Sequence, residues 1–408
     1  MSNTILTPTA VTREALRILH QKLNFIGTIN RQYDDSFAKS GAKIGDSLKI
    51  RLPNQYTVRT GRTIDVQDTV ESSVTLQVAT QKGVDIAFTS ADMTLSLQDF
   101  SDRILKPAMS VLAANIESDA MSMYKDVYNE VSDLGADATV NFVLQVGKKL
   151  TDDLAPVSDR TLNLNTTDNM DLVDALKGLF NDPAKLSKNF REGMVAANFL
   201  GFQDVMQNTL WPIHTTGTDD GTGDYLTDTA AGEADGSAGL LNVDTGAGSW
   251  NKGDIFHIAD CFRVHPETKV STGQLQRFVV TATSTPGAGG GSLAISPNIV
   301  TSGAKQNVTG FANDKALHKN ESDTTTDVGN AADYNISMGY HKDAFAFATA
   351  DLIMPKGVDF ASRQVMDGIS MRIIRDYDIN NDNLPCRIDV LYGYKTTRPE
   401  LACRLGLN

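Results

Sequence analysis

The feature that most limits the fold is an abrupt change of texture within the chain. Of its 32 glycines, 17 fall in residues 215–333, together with 7 basic and 15 acidic residues. That stretch lacks helical periodicity. Its apolar runs are short: Ile255 to Ile258, Phe278 to Ala282, and Leu293 to Ile295. Glycine disfavours a helix interior by about 1 kcal/mol. Short apolar runs separated by turns such as Gly287-Ala288-Gly289-Gly290-Gly291 therefore predict a small all-β module of barrel or sandwich type. Its opening part, Thr215 to Gly239, has almost no large apolar residue and reads as a long acidic loop with Asp219, Asp220, Asp224, Asp228, Glu233 and Asp235.

The flanks read differently. Leu16, Leu19 and Leu23 predict a helix over residues 9–25, and residues 26–42 read as loop. Leu48, Ile50 and Leu52 alternate up to Pro53. Val74, Leu76 and Val78 alternate, as do Val84, Ile86 and Phe88 beyond Lys82-Gly83. Between the first two runs lies a polar excursion with Arg59, Gly61, Arg62, Asp65 and Asp68, too long and too polar to bury itself. Leu105, Met109, Leu112, Ile116, Ala120, Met123 and Val127 keep one face, which predicts a single long helix over 99–131. Counted from Pro107 it would span about 37 Å and serve as a strut laid on a sheet. Residues 139–205 mix helix (Val140 to Leu154, Asp171 to Leu179) with strand (Leu162 to Leu164, Met194 to Phe202). After about residue 334, Phe345/Phe347, Ile369/Met371/Ile373 and Ile388/Val390/Tyr392/Tyr394 return to alternation. A β-module between two α+β segments is the pattern of an insertion at a loop tip.

The 408 residues suggest two or three domains. Net charge is −13, a poor basis for coating phosphate through a broad basic face. No apolar run reaches the roughly 18–20 residues of a membrane span. The start, Met1 to Leu6, lacks the basic and apolar regions of a secretory signal, so folding in a cytoplasm is expected. Cys261, Cys386 and Cys403 form no CxxC pair and read as reduced structural thiols.

The search for chemistry returns little. None of the six histidines sits at i,i+3 or i,i+4 from another, so helical zinc ligation of the HExxH kind is not expected. Arg59-Thr60-Gly61-Arg62-Thr63 lacks the first glycine and the lysine of a phosphate loop. Asp376 to Asp382 has no glutamate to close a calcium loop and reads as a solvated turn. The sequence points to a structural protein, not an enzyme, with no cofactor.

Particular strings then become informative. Gly201-Phe202-Gln203-Asp204-Val205 leads to Leu210-Trp211-Pro212-Ile213-His214-Thr215-Thr216-Gly217. Gly368 to Asp378, Cys386 to Gly393 and Arg398-Pro399-Glu400 close the chain. These resemble tailed-bacteriophage major capsid proteins, in particular the coat proteins of short-tailed Salmonella phages, which carry an insertion domain at this place.

The resemblance implies an α+β fold of the HK-ninety-seven type with an inserted small all-β barrel-like domain. It implies an N-terminal arm over 1–42, an extended loop with flanking strands over 43–90, and a peripheral domain with a spine helix over 91–138. An axial domain would cover 139–214, the inserted β-domain 215–333, and the return to both body domains 334–408. The implied function is self-assembly, as hexamers and pentamers, into an icosahedral shell around double-stranded DNA. The implied partners are a separate scaffolding protein, since no leader is evident, and a portal protein at one vertex. DNA would be enclosed without sequence-specific binding, no membrane would be involved, and assembly would occur in the host cytoplasm. The candidate intersubunit contacts are Arg59, Arg62, Asp65 and Asp68 on the extended loop, with Asp219, Asp220, Asp224 and Asp228 on the acidic loop. A tail, decoration or adhesin-like subunit with a glycan-binding β-module is the competing class.

Overall fold

The computed structural model describes residues 8–31, 46–64, 66–68, 71–88, 104–176, 200–218, 225–229, 234–246, 248–287, 289–319, 333–358, 360–366, 369–377 and 384–407. Two units divide the chain. The first comprises 1–51, 73–121 and 345–397; the second comprises 52–72, 122–344 and 398–408.

The first unit is organised by one long strand, Leu384–Thr396. It pairs antiparallel with Phe345–Ala350, Ile369–Arg375 and Thr80–Phe88. Phe360–Met366 extends the sheet beyond Ile369–Arg375, and Asn30–Arg31 adds in parallel to Phe345–Ala350. Asp46–Arg51 and Ser73–Val78 form a separate two-stranded ribbon. The alternating runs are strands as expected, with one correction. The break falls at Ala79, and Lys82 and Gly83 lie inside a strand. Gly83 is there because the sheet approaches it closely: a Cβ would lie 2.4 Å from the Ile388 carbonyl oxygen. Opposite it, Asp389 is buried and held by Arg372 at 2.7 Å and Arg387 at 2.8 Å.

Helix Pro8–Lys22 ends three residues before the expected boundary; it buries Leu16 and Leu19 of the expected stripe together with Val11, Ala15 and Ile18, and Leu23 is buried just past its end. Helix Lys106–Met121 buries Met109, Leu112, Ile116 and Ala120, also as expected. Its buried Glu117 accepts the backbone N–H groups of Asn24 and Phe25, satisfying donors at the start of the short helix Phe25–Thr28.

The single helix expected over 99–131 ends earlier. The α-helix stops at Met121, a 3₁₀ turn follows over Ser122–Asp126, and Glu130–Asp133 is a strand. Residues 99–103 lie outside the described residues. Met123, Val127 and Val131 are buried all the same, so the apolar spacing is consistent with both conformations. Parallel pairing of Glu130–Asp133 with Ala402–Leu407 decides for the strand.

The described residues of the second unit form two sheets. The first runs Glu130–Asp133, Ala402–Leu407, Asp333–His341, Arg160–Leu164, Asp204–Gln207, with Ile213–Thr215 also on Asp333–His341. Of the strand expected over Met194 to Phe202, 194–199 lie outside the described residues. Leu200 and Gly201 have positive φ, and the strand begins at Asp204. The helix expected from Asp171 begins at Thr166, because Asn165 Oδ1 accepts the Asp168 N–H at 2.8 Å.

Every strand of the other sheet lies between residues 226 and 319. Ile255–Val264, Ser271–Val280 and Gly291–Ser296 form an antiparallel meander, continued by Leu240–Asp244 and Leu226–Thr227. Val308–Thr309 and Leu317–Lys319 pair on Ile255–Val264. Tyr225, Trp250, Phe256, Phe278 and Leu293 fill its core. The all-β expectation for this stretch is met in its described part.

One buried carboxyl makes a pH prediction. Asp168 is fully buried, accepts the Ser337 hydroxyl at 2.5 Å and the Asn165 amide at 2.9 Å, and has its other oxygen without a partner among the described residues. Burial pushes its pKa up from 3.8 to about 6. The folded state then binds more protons than the unfolded one between those values, so this group's contribution falls as pH rises through the window. Asp168→Asn removes that slope. The stability of the variant relative to the parent should swing in the variant's favour by about 2 kcal/mol between pH 4 and pH 7. Urea denaturation at a series of pH values measures it; a flat difference contradicts it.

Candidate assembly surfaces

The polar excursion between Asp46–Arg51 and Ser73–Val78 is a self-braced finger. Its base closes with the Leu52 N–H on the Ser72 carbonyl at 2.9 Å. Midway, Gln67 clips both sides, accepting the Thr57 N–H at 2.8 Å and donating to the Thr57 carbonyl at 2.6 Å. At the tip Arg59 donates to the Thr63 carbonyl at 3.0 Å and to the Gly61 carbonyl. Gly61 takes a positive φ of 107° that other residues rarely adopt. Lys305 donates to Ser72 at 2.8 Å.

This finger displays apolar side chains to water. Tyr56 is 56%, Val58 93%, Ile64 76% and Val66 83% exposed. Isolated exposed apolar residues are ordinary, but a run of them on one projection marks a surface that another molecule covers. Burying each fully is worth about 1.5–3 kcal/mol.

The candidate contact residues fare unequally. Arg59, Arg62 and Asp68 all lie on the finger and are exposed. Arg59 is already engaged with its own loop's carbonyls, so its first role is to brace the tip. Asp65, Asp219, Asp220 and Asp224 lie outside the described residues. Asp228 is half-buried, with its backbone N–H on the Asn242 carbonyl at 2.9 Å. The four apolar residues did not enter the candidate set, although their interleaving with the polar residues of this stretch was visible.

A second feature is a buried polar chain in the second unit. Arg404 and Glu130 are both fully buried, with Arg404 Nε 3.1 Å from Glu130 Oε2. Tyr334 donates to the same carboxylate at 3.3 Å, and Arg404 Nη2 donates to the Gly253 carbonyl at 2.9 Å. His214 Nδ1 lies 3.1 Å from the Tyr124 hydroxyl and its Nε2 lies 3.0 Å from Asp254. The other Asp254 oxygen accepts the N–H groups of Gly217 and Asn251. Lys319 lies 3.9 Å from that oxygen and 4.3 Å above the Trp250 ring.

Aspartate, histidine and hydroxyl in a row resemble a catalytic relay, but His214 is only 2% exposed. Burial raises the Tyr124 pKa to about 12, keeping the phenol neutral near pH 7. The row ties the turn at Tyr124 to the segment 213–218 and to the start of Ile255–Val264, and Arg404 on the Gly253 carbonyl adds the C-terminal strand. Its members stand far apart in sequence, so spacing rules give no sign of them.

The family comparison agrees with a structural role. The family model described as P22 coat protein, gene protein 5, matches residues 19–405. The molecule is thus a viral coat subunit, a major capsid protein from which the shell of a bacteriophage is built. It belongs to the P22 coat protein family. A comparison with curated protein sequences finds no match.

Several solved structures are similar, two of them phage capsids or procapsids by description. A chain from Mycobacterium phage Che8 is 11% identical, with 94% of this chain and 90% of that one covered and a TM-score of 0.43. The bacteriophage PhiM1 mature capsid is 10% identical, with 94% and 87% covered and a TM-score of 0.43. The satellite phage P4 procapsid that includes the size determination protein is 7% identical, with 97% and 91% covered and a TM-score of 0.39.

Proposed function

We propose that copies of this chain close into an icosahedral shell of hexamers and pentamers around the double-stranded DNA of a tailed phage. The observation that carries this reading is the finger at 52–72, which is braced at Gln67 and Arg59 yet leaves Tyr56, Val58, Ile64 and Val66 in water. Such a projection is completed by a neighbouring subunit. Contacts of this head-to-tail kind propagate round a ring and close it when the rotation allows. Each contact is weak alone, and several per subunit add up to a stable particle. The net charge of −13 suits a container that must not adhere to its packed genome.

Within this reading the arm (1–42), extended loop (43–90), peripheral domain (91–138), axial domain (139–214), inserted β-domain (215–333) and return segment (334–408) are the working parts. The seven-stranded sheet drawn wholly from 226–319, with its own core, supports treating that stretch as one such part. A separate scaffolding protein and a portal protein at one vertex would guide assembly in the host cytoplasm. The chain performs no catalysis.

Val58→Asp combined with Val66→Asp is the test. Both sites are exposed, so the subunit should melt as before, with stability within about 0.5 kcal/mol. Closed shells should disappear from electron micrographs and from the fast-sedimenting fraction. Normal particles from the double variant would rule the finger out as an assembly contact.

A further inference from the structure

Beside the strands of the seven-stranded sheet lies an open cleft of about 440 Å³. Ile299 and Phe311 supply its apolar surface; Asp235, Ser237, Thr301 and Ser302 supply its polar surface. The volume falls within the roughly 300–1,000 Å³ of small-molecule sites.

The walls are built, not loose. Asp235 accepts the Ser237 N–H at 3.0 Å, and the Ile299 N–H reaches the Gly236 carbonyl at 3.0 Å. Asn307 accepts the Val300 N–H at 2.9 Å and donates to the Asn298 carbonyl at 2.7 Å. Asn313 accepts the Thr229 N–H at 2.6 Å, and Thr227 donates to the Ala312 carbonyl at 2.9 Å. Three loops from separate parts of the segment are thus held in fixed relation, which lowers the ordering cost of binding.

The lining selects a ligand class. Among the described lining residues Asp235 is the one charged group, and neither lysine nor arginine faces the cleft. An anion such as phosphate finds repulsion and no cation. A quaternary amine is held by several aromatic faces, and here there is one ring. A purely apolar ligand leaves the hydroxyls and the carboxylate desolvated without partners. A sugar presents a C–H face for Phe311 and Ile299 and a rim of hydroxyl groups for Asp235, Thr301 and Ser302. We propose that this cleft is a saccharide site of mono- or disaccharide size, a binding function separate from shell building.

The test uses the full-length, unassembled chain. Maltose, cellobiose and N,N′-diacetylchitobiose are titrated by calorimetry and ligand-observed NMR, with choline and inorganic phosphate as counter-probes. At least one disaccharide should bind with a dissociation constant in the millimolar range, and neither counter-probe should bind comparably. Asp235→Asn and Thr301→Val should each weaken that binding about tenfold without moving the melting temperature. Thr301 is exposed, so its variant keeps the test valid if the aspartate variant folds poorly. The proposal is overturned by silence from all three disaccharides, by binding indifferent to both substitutions, or by tighter binding of choline or phosphate. None of these results bears on whether shells form.

Discussion

Arg404→Ala should cost the subunit about 3–5 kcal/mol of stability, because it leaves the Glu130 carboxylate buried without its counter-charge. Both groups are fully buried, and their hydrogen bonding is incomplete: Glu130 Oε1 and Arg404 Nη1 have no partner among the described residues. Desolvating two such ions is expensive, and the 3.1 Å contact offsets it only in part. The double replacement Glu130→Leu with Arg404→Met should therefore recover most of the loss, and urea denaturation of the parent, both singles and the double measures the cycle. If Arg404→Ala proves no worse than a surface substitution, or if the double is as unstable as the single, the buried pair does not have the energetic role assigned to it here. Aggregation of the single variant at ordinary temperature is the corresponding cellular phenotype.

Trp250→Ala is the second large effect, about 3–5 kcal/mol from the cavity it opens. The ring is 1% exposed and packs against Tyr225 and Phe256 at centroid distances of 5.8 and 5.3 Å. It also covers the Lys319 ammonium at 4.3 Å, and that ammonium donates to the Ser249 carbonyl at 2.8 Å. A desolvated cation over an indole is worth about 2 kcal/mol. Combining Trp250→Ala with Lys319→Met should show a favourable coupling of that order in the parent. Strict additivity would leave the cavity intact as an explanation and remove the cation–π contact.

Much of the fold was legible along the chain. Val74/Leu76/Val78, Ile369/Met371/Ile373 and Ile388/Val390/Tyr392 are strands because side chains two apart share a face. Leu112, Ile116 and Ala120 are core for the analogous helical reason. The departure from the expected helix over 122–131 has the same origin. Buried Met123, Val127 and Val131 continue the apolar pattern, while a distant strand, Ala402–Leu407, sets the backbone. Lys82-Gly83 was read as punctuation because a close approach by the Ile388 carbonyl leaves no local trace. Of the candidate surface, the polar character of residues 52–72 and the apolar residues interleaved in it were visible. The tether of Arg59 to its own loop and the degree of exposure of the neighbouring apolar side chains depend on the folded backbone.

The amino-acid order alone determined which stretches carry helical periodicity, alternation or glycine-rich texture, and the family-like strings. Those are properties of residues a few positions apart, and local sterics and hydrophobic periodicity decide them. Tertiary structure alone decided that Arg404 meets Glu130, that His214 stands between Tyr124 and Asp254, and that Asp235 shares a cleft with Phe311. Those pairings depend on sheet register and on exclusion of water, and neither exists until distant segments have come together.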